Sequence, residues 1–572
     1  MLMNEECRSH IIDNEFVDFI FEYSITTEEL EQRFPTECIQ PVTSRFAVVY
    51  FARNRITRQT IDEFGYGAYP SCFGLNDISN LEASGITRLQ ALPSFALRGS
   101  GILIGIIDTG VQYTNRVFLN PDNTTRIVSI WDQTIDSPNF PRPHYYGTEY
   151  TREQINEALA SEDPLSIVPS TDENGHGTLL GALAAGSLDE ENNFVGVVPD
   201  AEFVVVKLKQ AKQCLRNFFS IPEEAICFQE TDILQGITYL YNMSRSLNRP
   251  IAICMGLGTS QGAHDGRGVL SSTISALNDE AGVCIVNSAG NEGNSGHHFY
   301  GIVNPDVGYD EMELRVGENV NGFSMEIWGY APNTYSIDIL SPTGEYIPRI
   351  PARIGESRDI NFLFEQTSIL INYFLIEQQT GDQLILVRFR NPTAGIWRFR
   401  VYARGDIELS FHCWLPITEF LSTETHFVES NPNVTLTSPG NAEIPITATA
   451  YNHVTDSIYI NASRGFTRDN VIKPDFAAPG VNIYGPTLNN TYGNFSGTSL
   501  AAAQTTGVAA MLLEWGILRG NVPNMDGQEV RRYLIRGTRR SLNETYPNNS
   551  WGYGIMDIYN TYLALRGETV EG

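Results

Sequence analysis

The sequence predicts an α/β protein built on a parallel sheet, with an all-β domain inserted into it and a small α+β module in front. Three observations carry this reading. Between about residues 100 and 298, short continuous apolar runs (102–107, 203–206, 251–255 and 283–286) alternate with helical patterns at about 177–187, 232–247 and 268–281. Strands that are apolar on both faces and separated by helices belong to a parallel sheet covered on both sides. From about 299 to 430 the texture becomes short strands divided by turn residues, at 312–316, 323–328, 335–340, 384–389 and 396–402. In the last of these, Arg398 and Arg400 alternate with Trp397, Phe399 and Val401. This punctuation fits a β-sandwich or jelly roll. After about 430 the α/β texture returns, so the β domain reads as an insertion. The chain divides into 1–68, 69–298, 299–430 and 431–572.

The first unit is read from its own pattern. Val17, Phe19, Phe21 and Tyr23 alternate with Asp18, Ile20 and Glu22, which predicts a half-buried strand. Thr26 and Glu29 have capping-box spacing ahead of Leu30 and Phe34, so a helix should follow. A second strand is expected at 46–51 and a second short helix at 56–64. Gly99, Gly101 and Gly105 follow no strand and open one rather than a helix, which excludes a dinucleotide-binding loop. The long separation between Asp108 and His176 predicts a surface excursion over about 115–170.

Composition narrows the function classes. Apolar residues make up 42 % of the chain and charged residues 18 %, which excludes a mainly disordered protein. Lys plus Arg is 38 and Asp plus Glu is 67, a net charge of 38 − 67 = −29. Such a surface repels phosphate, so neither nucleic acid nor an anionic membrane is expected as a partner. The first residues, MLMNEECRSHIIDNEF, lack a basic stretch followed by an apolar one, so synthesis in the cytoplasm without a signal peptide is expected. The most apolar run, 501–518, contains Gln504 and Glu514 and reads as a buried helix rather than a membrane span. Eight cysteines without metal-like spacing predict reduced thiols; Cys214 and Cys227 could pair, but apolar core cysteines are common. No cofactor is expected. His297-His298 is not read as a metal site, because adjacent side chains in a loop rarely converge on one ion.

Four segments carry chemistry. Ile106-Ile107-Asp108-Thr109-Gly110 places an Asp at the end of a buried strand. Asn174-Gly175-His176-Gly177-Thr178 places a His in a glycine-flanked turn that opens a helix. Ser496-Gly497-Thr498-Ser499-Leu500 places a Ser at the start of the long apolar helix. A serine hydroxyl is a weak nucleophile at neutral pH. A histidine must remove its proton, and a buried carboxylate must hold that histidine in the right tautomer. Ser499 at a helix N-terminus sits in a positive field that favours a developing anion. Asn287-Ser288-Ala289-Gly290-Asn291 follows an apolar strand and supplies a side-chain amide for the oxyanion.

In the order Asp, His, Asn, Ser, these segments (IGIIDTG, NGHGT, NSAGN and SGTSLAA) resemble the subtilisin-like serine proteases over about 100–298 and 430–560. The resemblance implies a three-layer sandwich with a parallel sheet. It also implies a catalytic Asp108, His176 and Ser499 and an oxyanion donor in Asn291. Gly256, Leu257 and Gly258, with Ala289 and Gly290, would bind an extended peptide substrate as an added strand. Gly256 stands where serine is common in the family. The first module then resembles the family's propeptide, expected to cross the active site within 65–72, to be cut there, and to stay bound. The jelly-roll insertion, GTSLAAAQ and the stretch 126–133 resemble the Csp group of clostridial proteases. In that group proteases packaged in spores activate a cortex-degrading hydrolase during germination. A different reading from the same residues is a subtilisin fold that has become a non-catalytic regulator or binding protein. The intact triad is what separates the two.

Overall fold

The computed structural model describes residues 7–23, 27–57, 59–75 and 97–567, with Ser84 and Ile86. Residues 1–6 and Thr26, and with it the expected capping box, lie outside the described residues.

A nine-stranded sheet forms the centre of the catalytic part. Its order is Ser457–Ile458, Ile446–Asn452, Val283–Ser288, Ile251–Met255, Leu103–Asp108, Glu202–Lys207, Ile127–Asp132 and Thr148–Thr151, with Phe476–Pro479 also paired to Ile446–Asn452. The strands from Ile446–Asn452 to Ile127–Asp132 are mutually parallel, and the two terminal strands run antiparallel. Both faces are apolar, as a doubly covered sheet demands. Ile104 and Ile106 point into the core beneath helices His176–Ala185 and Thr498–Leu513. Leu103 and Ile107 point into the opposite core, beneath Glu230–Leu247 and Val269–Asn278. This is the three-layer α/β arrangement expected. Among the described residues no helix is long and apolar enough to cross a membrane.

The expected surface excursion over 115–170 is corrected. Ile127–Asp132 joins the central sheet beside Glu202–Lys207, and Thr148–Thr151 closes its edge. Trp131 is fully buried and donates from Nε1 to the Tyr146 carbonyl at 3.0 Å. Ile127, Ile130 and Trp131 are too apolar to be left outside, and the sheet edge is where their surface goes.

The N-terminal module is a three-stranded antiparallel sheet ordered Phe16–Glu22, Phe46–Ala52, Cys38–Pro41, with helices Thr27–Arg33 and Thr60–Phe64 against it. The strand Cys38–Pro41 was not foreseen. It brings a second correction: Cys7 and Cys38 form a disulfide, with Cα atoms 5.8 Å apart, while Cys214 and Cys227 are both free. The bridge spans 31 residues, a spacing that carries no local signal. The two cysteines meet because the short helix Ser9–Ile12 precedes the strand Phe16–Glu22 and folds back to the far side of the sheet.

Strands from His298 to Phe427 build the inserted domain as two antiparallel sheets. The six-stranded sheet contains His298–Ile302, Ser410–Trp414, Gly322–Gly329, Gln383–Arg390, Ser368–Phe374 and Ser357–Asn361. The five-stranded sheet contains Tyr346–Ile350, Thr334–Leu340, Gly395–Arg404, Tyr309–Val316 and His426–Phe427. One core lies between them, with Trp397, Phe399 and Val401 inside as their alternation predicts. The outer face of the six-stranded sheet is also buried. Trp328, Leu384, Leu386 and Trp414 share a core with Val17, Phe19 and Phe64 of the N-terminal module and with Leu215 and Phe219 of the catalytic part.

If Ile127–Asp132 is a core strand, Trp131→Ala should destabilise the chain by about 3–5 kcal/mol, the usual cost of emptying a buried aromatic site. Denaturant unfolding followed by tryptophan-independent circular dichroism checks this, and an unchanged midpoint would restore the surface-excursion reading.

Candidate active site

The central sheet brings the expected residues together at the carboxyl ends of its strands, where parallel sheets place ligands. Asp108 is the last residue of Leu103–Asp108 and is 1 % exposed. His176 is the first residue of its helix and is 6 % exposed. Its Nδ1 lies 2.8 Å from Asp108 Oδ1, and its Nε2 lies 3.3 Å from Ser499 Oγ. Ser499 is the second residue of Thr498–Leu513 and is fully buried. Asp108 Oδ1 also accepts from the Thr109 backbone N–H at 2.8 Å. The carboxylate is therefore oriented before it meets the imidazole. This chain of contacts is what a hydroxyl nucleophile requires: a base within reach of the serine, and a buried carboxylate that selects the tautomer with its proton on Nδ1.

Local sequence explains how the histidine is held. Gly175 adopts φ +94°, the left-handed region open to glycine, and turns the chain into the helix. Asp172, buried and not singled out from sequence, clamps this turn. Its Oδ1 accepts from the N–H groups of Asn174 and Gly175 at 3.0 and 2.8 Å, and its Oδ2 from Thr178 N and Oγ1 at 3.0 and 2.7 Å. The only local hint was an Asp four residues ahead of the histidine in a turn-rich stretch. Gly177 lets the helix start rest directly on the aspartate strand. A Cβ there would stand 2.2 Å from the Gly110 carbonyl oxygen and 3.1 Å from Asp108 Cβ.

The oxyanion side is set by reciprocal bonds between two segments. Asn291 Oδ1 accepts from Thr498 N and Thr498 Oγ1, both at 3.2 Å, and Gly290 N–H donates to Thr498 Oγ1 at 3.0 Å. Held by its oxygen, the Asn291 carboxamide turns its NH2 end away from Thr498. Gly290 sits at φ +98°, and a Cβ on it would meet Thr437 Oγ1 at 2.5 Å. Ala289 is fully buried and donates from its N–H to the Ala448 carbonyl at 3.0 Å.

Gly256 follows the strand Ile251–Met255. A Cβ on it would lie 3.1 Å from His176 Cε1 and 3.2 Å from Ser499 Cβ, which places its backbone against the reacting pair. Leu257–Gly258 then forms a short strand that is already paired. Its partner is Cys72–Leu75, antiparallel, with Leu257 opposite Leu75 and Gly258 opposite Gly74. Cys72–Leu75 pairs on its other side with Phe228–Gln229. The N-terminal segment is thus the middle strand of three, ending beside the residues that adjoin His176 and Ser499. The segment that occupies the groove is a few residues beyond the expected 65–72 stretch. Phe228–Gln229, the second edge of the groove, escaped sequence analysis because two residues give no period.

A cleft of about 810 Å³ opens beside His176 and Asn291. Part of its wall comes from the inserted domain, through Thr418 and Glu419. Glu292, 4 % exposed, joins the two. It accepts from Thr418 N at 3.0 Å and from Thr418 Oγ1 at 3.1 Å, and faces His297 Nδ1 at 2.9 Å. Burial opposes its ionisation, but these hydrogen bonds prevail and hold its carboxyl below the usual range. His298 turns elsewhere, with Nδ1 3.0 Å from the Asn431 carbonyl and Nε2 2.9 Å from His412 Nδ1. The adjacent pair therefore shares no site. Among the described residues no group of three or more His, Cys, Asp or Glu could hold a metal ion.

Gly177→Ala should displace the imidazole, since the atom it strikes is rigid backbone. Labelling of Ser499 by a fluorophosphonate is expected to slow on the order of 10²-fold, the scale for a catalytic group misplaced by about an ångström. A rate within threefold of wild type would mean that the helix start tolerates a side chain.

The geometry agrees with comparisons to known proteins. The model of the Subtilase family matches residues 99–311 and 379–554. The solved structure of the CspB protease of Clostridium perfringens superposes with a TM-score of 0.75 at 29 % identity, covering 85 % of this chain and 99 % of that one. The minor extracellular protease Vpr of Bacillus subtilis is 23 % identical over 486 residues, 82 % of this chain and 52 % of that protein. The C5a peptidase of Streptococcus pyogenes is 21 % identical over 465 residues, 74 % of this chain and 35 % of that protein. The chain thus spans about half or less of the length of these two relatives. The family model matches well over half of the chain, and the chain belongs to the subtilase family of serine peptidases.

Proposed function

We propose that this serine peptidase is an endopeptidase that cuts its own chain just after Cys72–Leu75 and keeps the severed N-terminal module bound. The observation that carries the reading is the strand Cys72–Leu75 seated between Leu257–Gly258 and Phe228–Gln229. Leu75, the last residue of that strand, lies opposite Leu257, one residue from Gly256, whose backbone adjoins His176 and Ser499, so we infer cleavage one residue beyond Leu75 in sequence. The bond to be cut is then Asn76–Asp77. Ser499 Oγ attacks the Asn76 carbonyl as His176 Nε2 takes its proton. The oxyanion is stabilised by the Asn291 amide and the Ser499 backbone N–H. His176 returns the proton to the departing Asp77 nitrogen, and water then hydrolyses the acyl-enzyme.

Contacts of the module support its retention. Asp18 pairs with Lys212 where both side chains are buried, and Asp18 Oδ2 accepts from Gln229 Nε2 at 2.7 Å. Gln40 Nε2 donates to the His144 carbonyl at 2.7 Å. Tyr66 donates to Glu326 Oε1 at 2.5 Å, while Glu326 Oε2 accepts from Trp328 Nε1 and Gly262 N, each at 3.0 Å. One carboxyl thus ties the module, the inserted domain and the segment following the substrate strand. Together with the shared apolar core, these bonds make the module a built-in occupant of the groove, which suits an enzyme of narrow substrate range. Limited proteolysis of a spore-cortex hydrolase is the role that the Csp resemblance supports.

Intact masses of wild type and Ser499→Ala test the chemistry. Wild type should yield two fragments with the new terminus at Asp77, and the variant should remain whole, because loss of this nucleophile costs about 10⁶-fold in a relative. Two full-length proteins would favour the non-catalytic regulator, and a cut within 65–72 would overturn the register argument.

Retention should depend on pH. Burial raises the Glu326 carboxyl above its ordinary range, against the hydrogen bonds from Tyr66, Trp328 and Gly262, and the nearby Glu377 raises it further. A carboxyl raised in the complex favours association at pH values below its free pKa, and that contribution is lost as pH rises through the raised value. The cut fragments should therefore separate faster at pH 8 than at pH 5 on a sizing column. Glu326→Gln should flatten the difference, and an unchanged profile in that variant would remove Glu326 from the linkage.

A further inference from the structure

The strands that flank Cys72–Leu75, Phe228–Gln229 and Leu257–Gly258, have only two residues each. Ladders this short, with Gly74 opposite Gly258, specify register weakly. At the upstream end, two side chains take hold of the main chain. Ser71 N–H donates to Glu230 Oε2 at 3.1 Å, and Glu230 N–H returns a bond to the Ser71 carbonyl at 2.9 Å. Cys72 N–H donates to Gln261 Oε1 at 2.7 Å. Both acceptors are buried, and both are anchored. Glu230 opens the helix Glu230–Leu247, and its Oε1 accepts from Leu270 N–H in Val269–Asn278 at 3.0 Å. Burial raises the Glu230 carboxyl above its ordinary range, against the bonds from Ser71 and Leu270. Gln261 N–H donates to Thr259 Oγ1 at 3.2 Å, and Thr259 exchanges backbone bonds with Ser438 at 3.0 and 2.8 Å. Pro70 has no N–H to offer, so the donors begin at Ser71.

We propose that Glu230 and Gln261 are positioning residues: by accepting from two consecutive main-chain N–H groups, they fix which bond of the chain reaches Ser499. Resting on the self-cleavage proposed above, this role decides where the cut falls. A chain shifted to be cut one residue earlier would bring Pro70 to the place of Ser71 and Ser71 to the place of Cys72. Glu230 Oε2 would then face a residue without a donor. An acceptor left unpaired in a buried site costs more than its bond contributes when made, so this shift is disfavoured. The demand is for main-chain donors and not for particular side chains. A peptide taken into the same groove must bring N–H groups at both positions, and proline is refused at each.

The test follows self-cleavage of the full-length chain during cell-free synthesis, by intact mass over time. Gln261→Met keeps the length of the side chain and loses the acceptor, whereas Gln261→Glu keeps an acceptor oxygen. Wild type should cut at a single bond. Gln261→Met should cut about 10-fold more slowly, the scale for leaving a buried N–H unpaired, and at more than one bond. Gln261→Glu should restore the single bond, a rescue that mere space-filling by Gln261 does not predict. Approached from the other partner, Cys72→Pro removes the donor and should behave as Gln261→Met does. Cys72→Ala keeps the donor and should cut as wild type does. Melting temperatures of the same variants on a Ser499→Ala background, where the chain stays whole, check that each one folds. A single cut at the wild-type bond and rate in Gln261→Met or Cys72→Pro would overturn the positioning role and leave self-cleavage standing. Equal impairment of Gln261→Met and Gln261→Glu would do the same. A wild type that never cuts would overturn both readings together.

Discussion

The helix Thr498–Leu513 has no solvent side. All of its residues are buried, including Gln504, Thr505 and Thr506. The two threonine hydroxyls bond back to the carbonyls of Ala501 and Ala502 at 2.7 and 2.8 Å, which satisfies their donors inside the core. A helix with this composition is stable only when enclosed on every side. The enclosure consists of the central sheet below, the histidine helix beside it and the C-terminal segments above. At Gly507 the absence of a side chain lets the histidine helix come close, since a Cβ would meet the Ala184 carbonyl oxygen at 2.7 Å. The two helices that carry His176 and Ser499 are therefore packed backbone to backbone. Their separation is a property of the core rather than of the loops around the site.

The same close packing recurs at the triad itself. Gly177 rests on the strand of Asp108, Gly256 on His176 and Ser499, and Gly290 on Thr437. Each is a place where a side chain would push apart two segments that frame the site. Side-chain bonds then fix orientation: Asp172 holds the histidine turn, and Thr498 holds Asn291. Preorganisation of this kind means that the hydrogen-bonding groups face the developing charge before substrate arrives.

Around this core, the N-terminal module and the inserted domain act as one further layer. They share an apolar core with each other and with the catalytic part. Their polar seams, Asp18 with Lys212 and Tyr66 with Glu326, are buried and joined to the substrate groove. The inserted domain also reaches the cleft through Thr418 and Glu419 and is tied to Glu292, next to Asn291. It is therefore a part of the active-site wall as well as a support.

What could be read from the chain by itself was whatever has a local period or a compact motif. The apolar strands 102–107, 203–206, 251–255 and 283–286, their helices, the alternation around Trp397, and the four catalytic segments all fall in this group, because burial on a strand or helix repeats every few residues. Asp108, His176, Asn291 and Ser499 were legible for the same reason, each lying in a short run whose neighbours serve its geometry. Tertiary structure decided everything that depends on contacts between distant residues. It placed Ile127–Asp132 in the central sheet and joined Cys7 to Cys38. It threaded Cys72–Leu75 between Phe228–Gln229 and Leu257–Gly258. Such contacts form between segments separated by tens to hundreds of residues. They are chosen by what remains to be buried or paired once the local elements exist, and no local pattern records that choice.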